Sequence, residues 1–144
     1  MDALRSGIIA GLTVWLILYL VEATRNADKA AAVKPDDLIS FTTSTTRGEV
    51  VKAVLLFGQT AGLKVGSRDE AIGKVVLGEN LSLLKNRNGY WLLVYVSDNG
   101  NGTTTVEIGI KPKVGRVGSK LPKIRDRAVG SIQAMVMAQS NSTA

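Results

Sequence analysis

Hydrophobic positions change their spacing four times along this chain, and each change marks a structural boundary. The first pattern is an unbroken apolar run: Gly7 to Val21 holds 15 consecutive uncharged residues, and the stretch from Leu4 to Ala23 is 20 residues long. At 1.5 Å per residue, 20 helical residues span about 30 Å, the thickness of a bilayer's hydrocarbon core. Arg5 and Glu22 fall at its ends, where their side chains can reach the head groups, and Tyr19 falls near an interface. The pattern predicts a transmembrane helix within residues 1–24 that serves as a signal anchor.

Residues 25–37 are polar and Ala-rich and are read as a linker. From Leu38 the soluble pattern starts. Leu38 to Thr43 alternates as a first strand would, with β-branched and aromatic residues. Thr46 and Glu49 have capping-box spacing, and Val50, Val51, Val54 and Leu55 continue one helical face that ends at Gly62. After Gly62 the period becomes two. Strands are expected at Leu63–Ser67, Ala71–Leu77, Leu81–Lys85, Tyr90–Ser97 and Thr103–Ile110, separated by turn-forming residues at Arg68–Glu70, Asn86–Gly89 and Asp98–Gly102. In the last strand Val106, Ile108 and Ile110 share one face, while Thr105, Glu107 and Gly109 share the other, so one face of the sheet is expected to be wet.

The period then returns to that of a helix. Ile124, Ala128, Ile132, Met135 and Val136 form one apolar stripe over Pro122 to Gln139, with Pro122 in the tolerated first turn. Together these elements predict an α+β fold: an N-terminal transmembrane helix, then strand, helix, an antiparallel meander of about four strands, and helix. The two helices lie on one face of the sheet. The soluble domain covers residues 38–139, and residues 140–144 are read as a flexible tail.

Charge adds a candidate surface. From Leu38 onward there are 14 Lys or Arg against seven Asp or Glu. Half of those bases (Lys111, Lys113, Arg116, Lys120, Lys123, Arg125 and Arg127) fall within 17 residues opposed only by Asp126. Such a cluster attracts anionic lipid head groups or nucleic acid, or forms a solvated face. Tyr90, Trp91 and Tyr95 follow Lys85 and Arg87, and aromatics beside bases can stack nucleobases; in a central strand they read first as core.

In the apolar run Ala3, Gly7 and Gly11 recur every four residues and share one helical face. Small residues on one face let two helix backbones approach, which points to a protein partner or a homo-oligomer formed through the N-terminal helix. On the C-terminal side of the run stand Arg25, Lys29 and Lys34, against Arg5 and the amine on the other, so the positive-inside rule puts the soluble domain in the cytoplasm. The alternative is a cleaved signal peptide, with Ala30–Ala32 offering small residues to a peptidase and an exported structural or ligand-binding domain released.

The chain contains neither His nor Cys, which removes the usual general base, the usual zinc ligands and the Ser-His and Cys-His pairs. Its glycines do not assemble a phosphate loop. The expectation is therefore a single-pass, membrane-anchored, non-enzymatic binding or assembly protein that needs no cofactor or metal. A membrane-tethered nucleic-acid-binding domain is a further alternative.

Overall fold

The structure is a computed structural model, and it describes residues 26–32, 34–35, 37–79, 89–113 and 120–142. Residues 26–32 are helical (α1). They are followed by β1 (Ile39–Thr43), α2 (Arg47–Ala61), β2 (Lys64–Asp69), β3 (Lys74–Gly78), β4 (Tyr90–Asp98), β5 (Thr104–Pro112) and α3 (Leu121–Ser142). The described residues form a small α+β domain with a five-stranded antiparallel sheet and three helices.

Local chemistry sets the ends of α2. The Thr46 hydroxyl accepts the Glu49 N–H at 3.4 Å, as the Thr-x-x-Glu spacing predicts. At the other end Gly62 adopts φ 75° and its N–H donates to the Gln59 carbonyl at 3.3 Å, and the Leu63 N–H donates to the Gly58 carbonyl at 2.8 Å, so two of the last-turn carbonyls find partners. The hairpin between β4 and β5 turns on the Asp98–Gly102 segment, where Gly100 and Gly102 take positive φ and the Asp98 carboxylate accepts the Gly100 N–H.

Strand order is β1-β5-β4-β3-β2, so β2 to β5 form a meander and β1 returns to pair with β5. Helices α2 and α3 pack on one face of this sheet. Val50, Val54, Ala128, Ile132 and Val136 from the helices meet Val75, Leu77, Leu92, Val94, Val106 and Ile108 from the strands. The stripe expected on α3 is the one it buries, with Ile124 and Met135 at its margin, and the helix runs on to Ser142 where a tail from residue 140 was expected.

The opposite face departs from the sequence pattern. It is not wet: Val76, Leu93 and Tyr95 are buried there beneath Ala27 and Ala31 of α1, with Leu38 and Trp91 at the edge of the cluster. Residues 26–32, read from composition as linker, are the second layer of packing on the sheet. Full burial of a Val or Leu side chain contributes about 1.5–3 kcal/mol relative to exposure, so this small cluster holds α1 in place.

Among the described residues no helix is long and apolar enough to cross a membrane. The apolar run 4–23, with Ala3, Gly7 and Gly11, lies outside the described residues, as do the strand expected at 81–85 and Arg116.

Candidate functional site

Register across the sheet brings one set of residues together at the end where α1 begins. Lys64 on β2 is opposite Gly78 on β3, Gly78 is opposite Trp91 on β4, and Trp91 is opposite Lys111 on β5. Directly opposed residues project to the same face, so Lys64, Trp91 and Lys111 form one row on the α1 side. β2 carries a bulge at Gly66, where the register passes from Val65–Leu77 to Ser67–Val76.

Glycines make the space for the indole in this row. A Cβ at Gly78 would stand 2.8 Å from Trp91 Cζ3, and one at Gly66 would stand 2.8 Å from the same atom and 3.0 Å from Ala27 Cβ. The Trp91 ring therefore lies over backbone at both positions, at the edge of α1. Lys113, two residues beyond Lys111 on the same face, places Nζ 4.2 Å from the centroid of that ring, within the range of a cation–π contact. Burial pushes the Lys113 ammonium below its ordinary pKa, with Glu79 acting in the opposite direction and Lys64 reinforcing the drop.

Further along the same face, polar side chains strap α1 to the strands. Tyr95 Oη donates to the Ala31 carbonyl at 2.9 Å, and Lys111 Nζ donates to the Ala30 carbonyl at 2.7 Å. The last carbonyls of a helix have no intrahelical partner, and these two side chains supply one to each. Ser67 donates to the Asp28 carboxylate. Lys34 Nζ reaches Glu107 at 2.9 Å and lies 5.0 Å from the centroid of the Tyr95 ring. Burial raises the Tyr95 pKa, and the Glu107 carboxylate adds to the rise.

The basic residues singled out in the sequence divide into distinct groups. Lys111 and Lys113 lie on the α1 face, in the arrangement just described. Arg125 is 13% exposed and is committed to a pair, with Nη1 2.7 Å from Asp37 Oδ2 and 3.0 Å from the Asp37 carbonyl, and Asp126 at 3.1 Å. Lys120, Lys123 and Arg127 are exposed around the start of α3. Composition alone did not bring Lys64 or the residues of α1 into the site. The usable signal was the four-residue spacing of Ala27 and Ala31, together with glycines in three strands.

On the other side of the molecule a cleft of about 370 Å³ opens between β1 and the second half of α3, lined by Phe41, Thr42, Thr43, Ser44, Gln133, Val136 and Met137. Its walls carry hydroxyl, amide and apolar groups, with no ionisable side chain among them.

No family model and no curated protein matches this chain. In fold it is similar to the crystal structure of Ara h 8.0201, at 8% sequence identity and a TM-score of 0.52, covering 70% of this chain and 94% of that one. At that identity the likeness is one of fold.

Proposed function

We propose that this chain is a single-pass membrane protein whose small basic domain lies on the cytoplasmic side and has a non-enzymatic binding or assembly role at the bilayer surface. The observation that carries this reading is the docking of α1. Ala27 and Ala31 are 0% and 2% exposed against Val76, Leu93 and Tyr95, so α1 is part of the fold. Cleavage near Ala32 would remove the layer that covers the second face of the sheet, which favours retention of the N-terminal segment over release of an exported domain. Confinement to a surface raises the effective concentration of the domain for any partner held there. The exposed bases Lys120, Lys123 and Arg127 supply attraction to an anionic surface.

Fractionation of the full-length protein combined with intact mass tests the reading. The expected result is a chain that retains its first residues, sediments with membranes and needs detergent for extraction. A chain that remains in the supernatant without detergent, or whose mature N-terminus lies beyond Ala32, would overturn it.

A further inference from the structure

The apolar run ends at Ala23, three residues before the first described residue of α1. Three residues of chain reach at most about 11 Å. If the run spans the bilayer, the beginning of α1 is held within about that distance of the membrane boundary, and the sheet end beneath it is held there too. That end is the row of Lys64, Gly78, Trp91 and Lys111, because Ala27 lies against Trp91 and the Gly66 backbone.

Its composition suits that position. A half-buried Trp offers an apolar body and an N–H to the head-group layer, and Lys side chains lay their methylene stems along apolar surface while the ammonium stays in the polar zone. Lys111 is already bonded to the Ala30 carbonyl and fixes α1 to β5. Lys64 is exposed. Lys113 is drawn out of water onto the indole face, so an anion beside it replaces hydration that the ammonium has lost; Glu79, the nearby acid, compensates for part of that loss.

We propose that Lys64 and Lys113, arranged around Trp91, bind the phosphodiester of an anionic phospholipid headgroup and so fix the orientation of the domain on the bilayer. This rests on the anchored reading above. Lys64 and Lys113 make the phosphate contacts, Trp91 is the interfacial wedge, and Lys111 is a positioning residue that holds α1 in register with the site.

The test uses the full chain with Trp15→Phe, which leaves Trp91 as the sole indole. It is reconstituted into phosphatidylcholine vesicles with or without a minor share of phosphatidylglycerol, and Trp91 emission is read with lipids brominated high on the acyl chain. Expected are a blue shift and stronger quenching in the anionic vesicles, loss of that difference in the Lys64→Gln, Lys113→Gln double variant with far-UV circular dichroism unchanged, and its partial return with Lys64→Gln, Lys113→Arg. A chain that floats with the vesicles but gives the same Trp91 signal in both lipids, or a double variant that keeps the difference, overturns the headgroup site and leaves the anchor intact. A chain that does not float overturns the anchored reading and this site with it. The same signal produced in phosphatidylcholine vesicles by excess inorganic phosphate, or by a single-stranded oligonucleotide, would assign the site to a soluble anion or to nucleic acid and overturn the lipid assignment.

Discussion

The Tyr95 hydroxyl donates a hydrogen bond to the Ala31 carbonyl at 2.9 Å, joining the middle of β4 to the end of α1 across 64 positions of sequence. Tyr95→Phe keeps the ring against Leu93 and Val76 but leaves the carbonyl without this donor. A buried acceptor left unpaired costs about 1–3 kcal/mol, so calorimetry is expected to show a fall of several degrees in Tm. No change in Tm would mean that water replaces the phenol there.

The same residue gives a pH signature. Burial, with help from Glu107, raises the phenol's pKa above its ordinary 10.0, so the folded state holds this proton more tightly than the unfolded chain. That contribution to stability is complete below the unfolded value and is lost as pH rises from 10.0 through the folded value. Denaturant midpoints measured across alkaline pH are expected to fall more steeply for the parent than for Tyr95→Phe. Parallel curves would rule out Tyr95 as the titrating group.

Gly78→Ala and Gly66→Ala each drive a methyl to 2.8 Å from Trp91 Cζ3, closer than a packed carbon can sit. Overpacking of this kind costs about 1–3 kcal/mol. Trp91→Leu removes the ring, so Gly78→Ala is expected to cost much less in that background, and a double-mutant cycle from denaturant melts reads the difference. Additive losses would show that Gly78 is needed for the strand itself and not for the indole.

The fold on the α2 and α3 side was legible because its signals are strong ones. Thr46 and Glu49 mark the cap, Gly62 the stop, and Ile124, Ala128, Ile132, Met135 and Val136 a stripe whose spacings of three and four, closed by Met135 beside Val136, belong to a helix. The other side was not legible, for a physical reason. Its helix presents Ala27 and Ala31, residues too small to stand out as an apolar face, and on the same face β5 carries Gly109, which reads as polar by alternation although it is covered by the segment after α1, a Cβ there standing 2.5 Å from Pro35 Cγ and 2.8 Å from Leu38 Cδ2. The candidate site suffered similarly. Sequence grouped the bases by proximity along the chain, whereas strand register sets Lys64 and Lys111 in one row and the Asp37 carboxylate removes Arg125 from the free cations.

A chain beginning at Lys34 lacks α1 and uncovers Val76, Leu93 and Tyr95, whereas one beginning at residue 26 keeps them covered. The shorter chain is expected to melt lower and to self-associate through the uncovered face, with light scattering and thermal melts as the readouts. Equal melting temperatures and equal monomer fractions would reduce α1 to a tether that contributes nothing to the fold.

Within the apolar run 4–23, Gly7→Leu with Gly11→Leu replaces two small residues, on the face expected to be shared, by bulky ones. If that face pairs helices, energy transfer between labelled copies in lipid bilayers is expected to fall, because the backbones can no longer approach. Unchanged transfer would place any association elsewhere in the chain.

If the surface reading is right, Arg125 serves folding while the exposed bases around the start of α3 serve attraction to an anionic surface. Arg125 Nη1 bonds both the carboxylate and the carbonyl of Asp37, tying the segment before β1 to the first turns of α3. Its side chain is 13% exposed and that of Asp37 is 53% exposed, so the pair is partly screened, and Arg125→Gln is expected to cost only about 1 kcal/mol. Lys120, Lys123 and Arg127 are exposed, and replacing all three with Gln should leave the melting temperature within error. If the surface reading is right, the same triple replacement weakens the salt-dependent attraction of the domain to anionic vesicles, since each base near such a surface contributes about 1 kcal/mol and is screened over roughly 8–10 Å. Measuring both quantities on both variants gives opposite patterns: lower stability with near-parental attraction for Arg125→Gln, and parental stability with weakened attraction for the triple replacement. Parental attraction in the triple variant would leave those three residues as solvated surface.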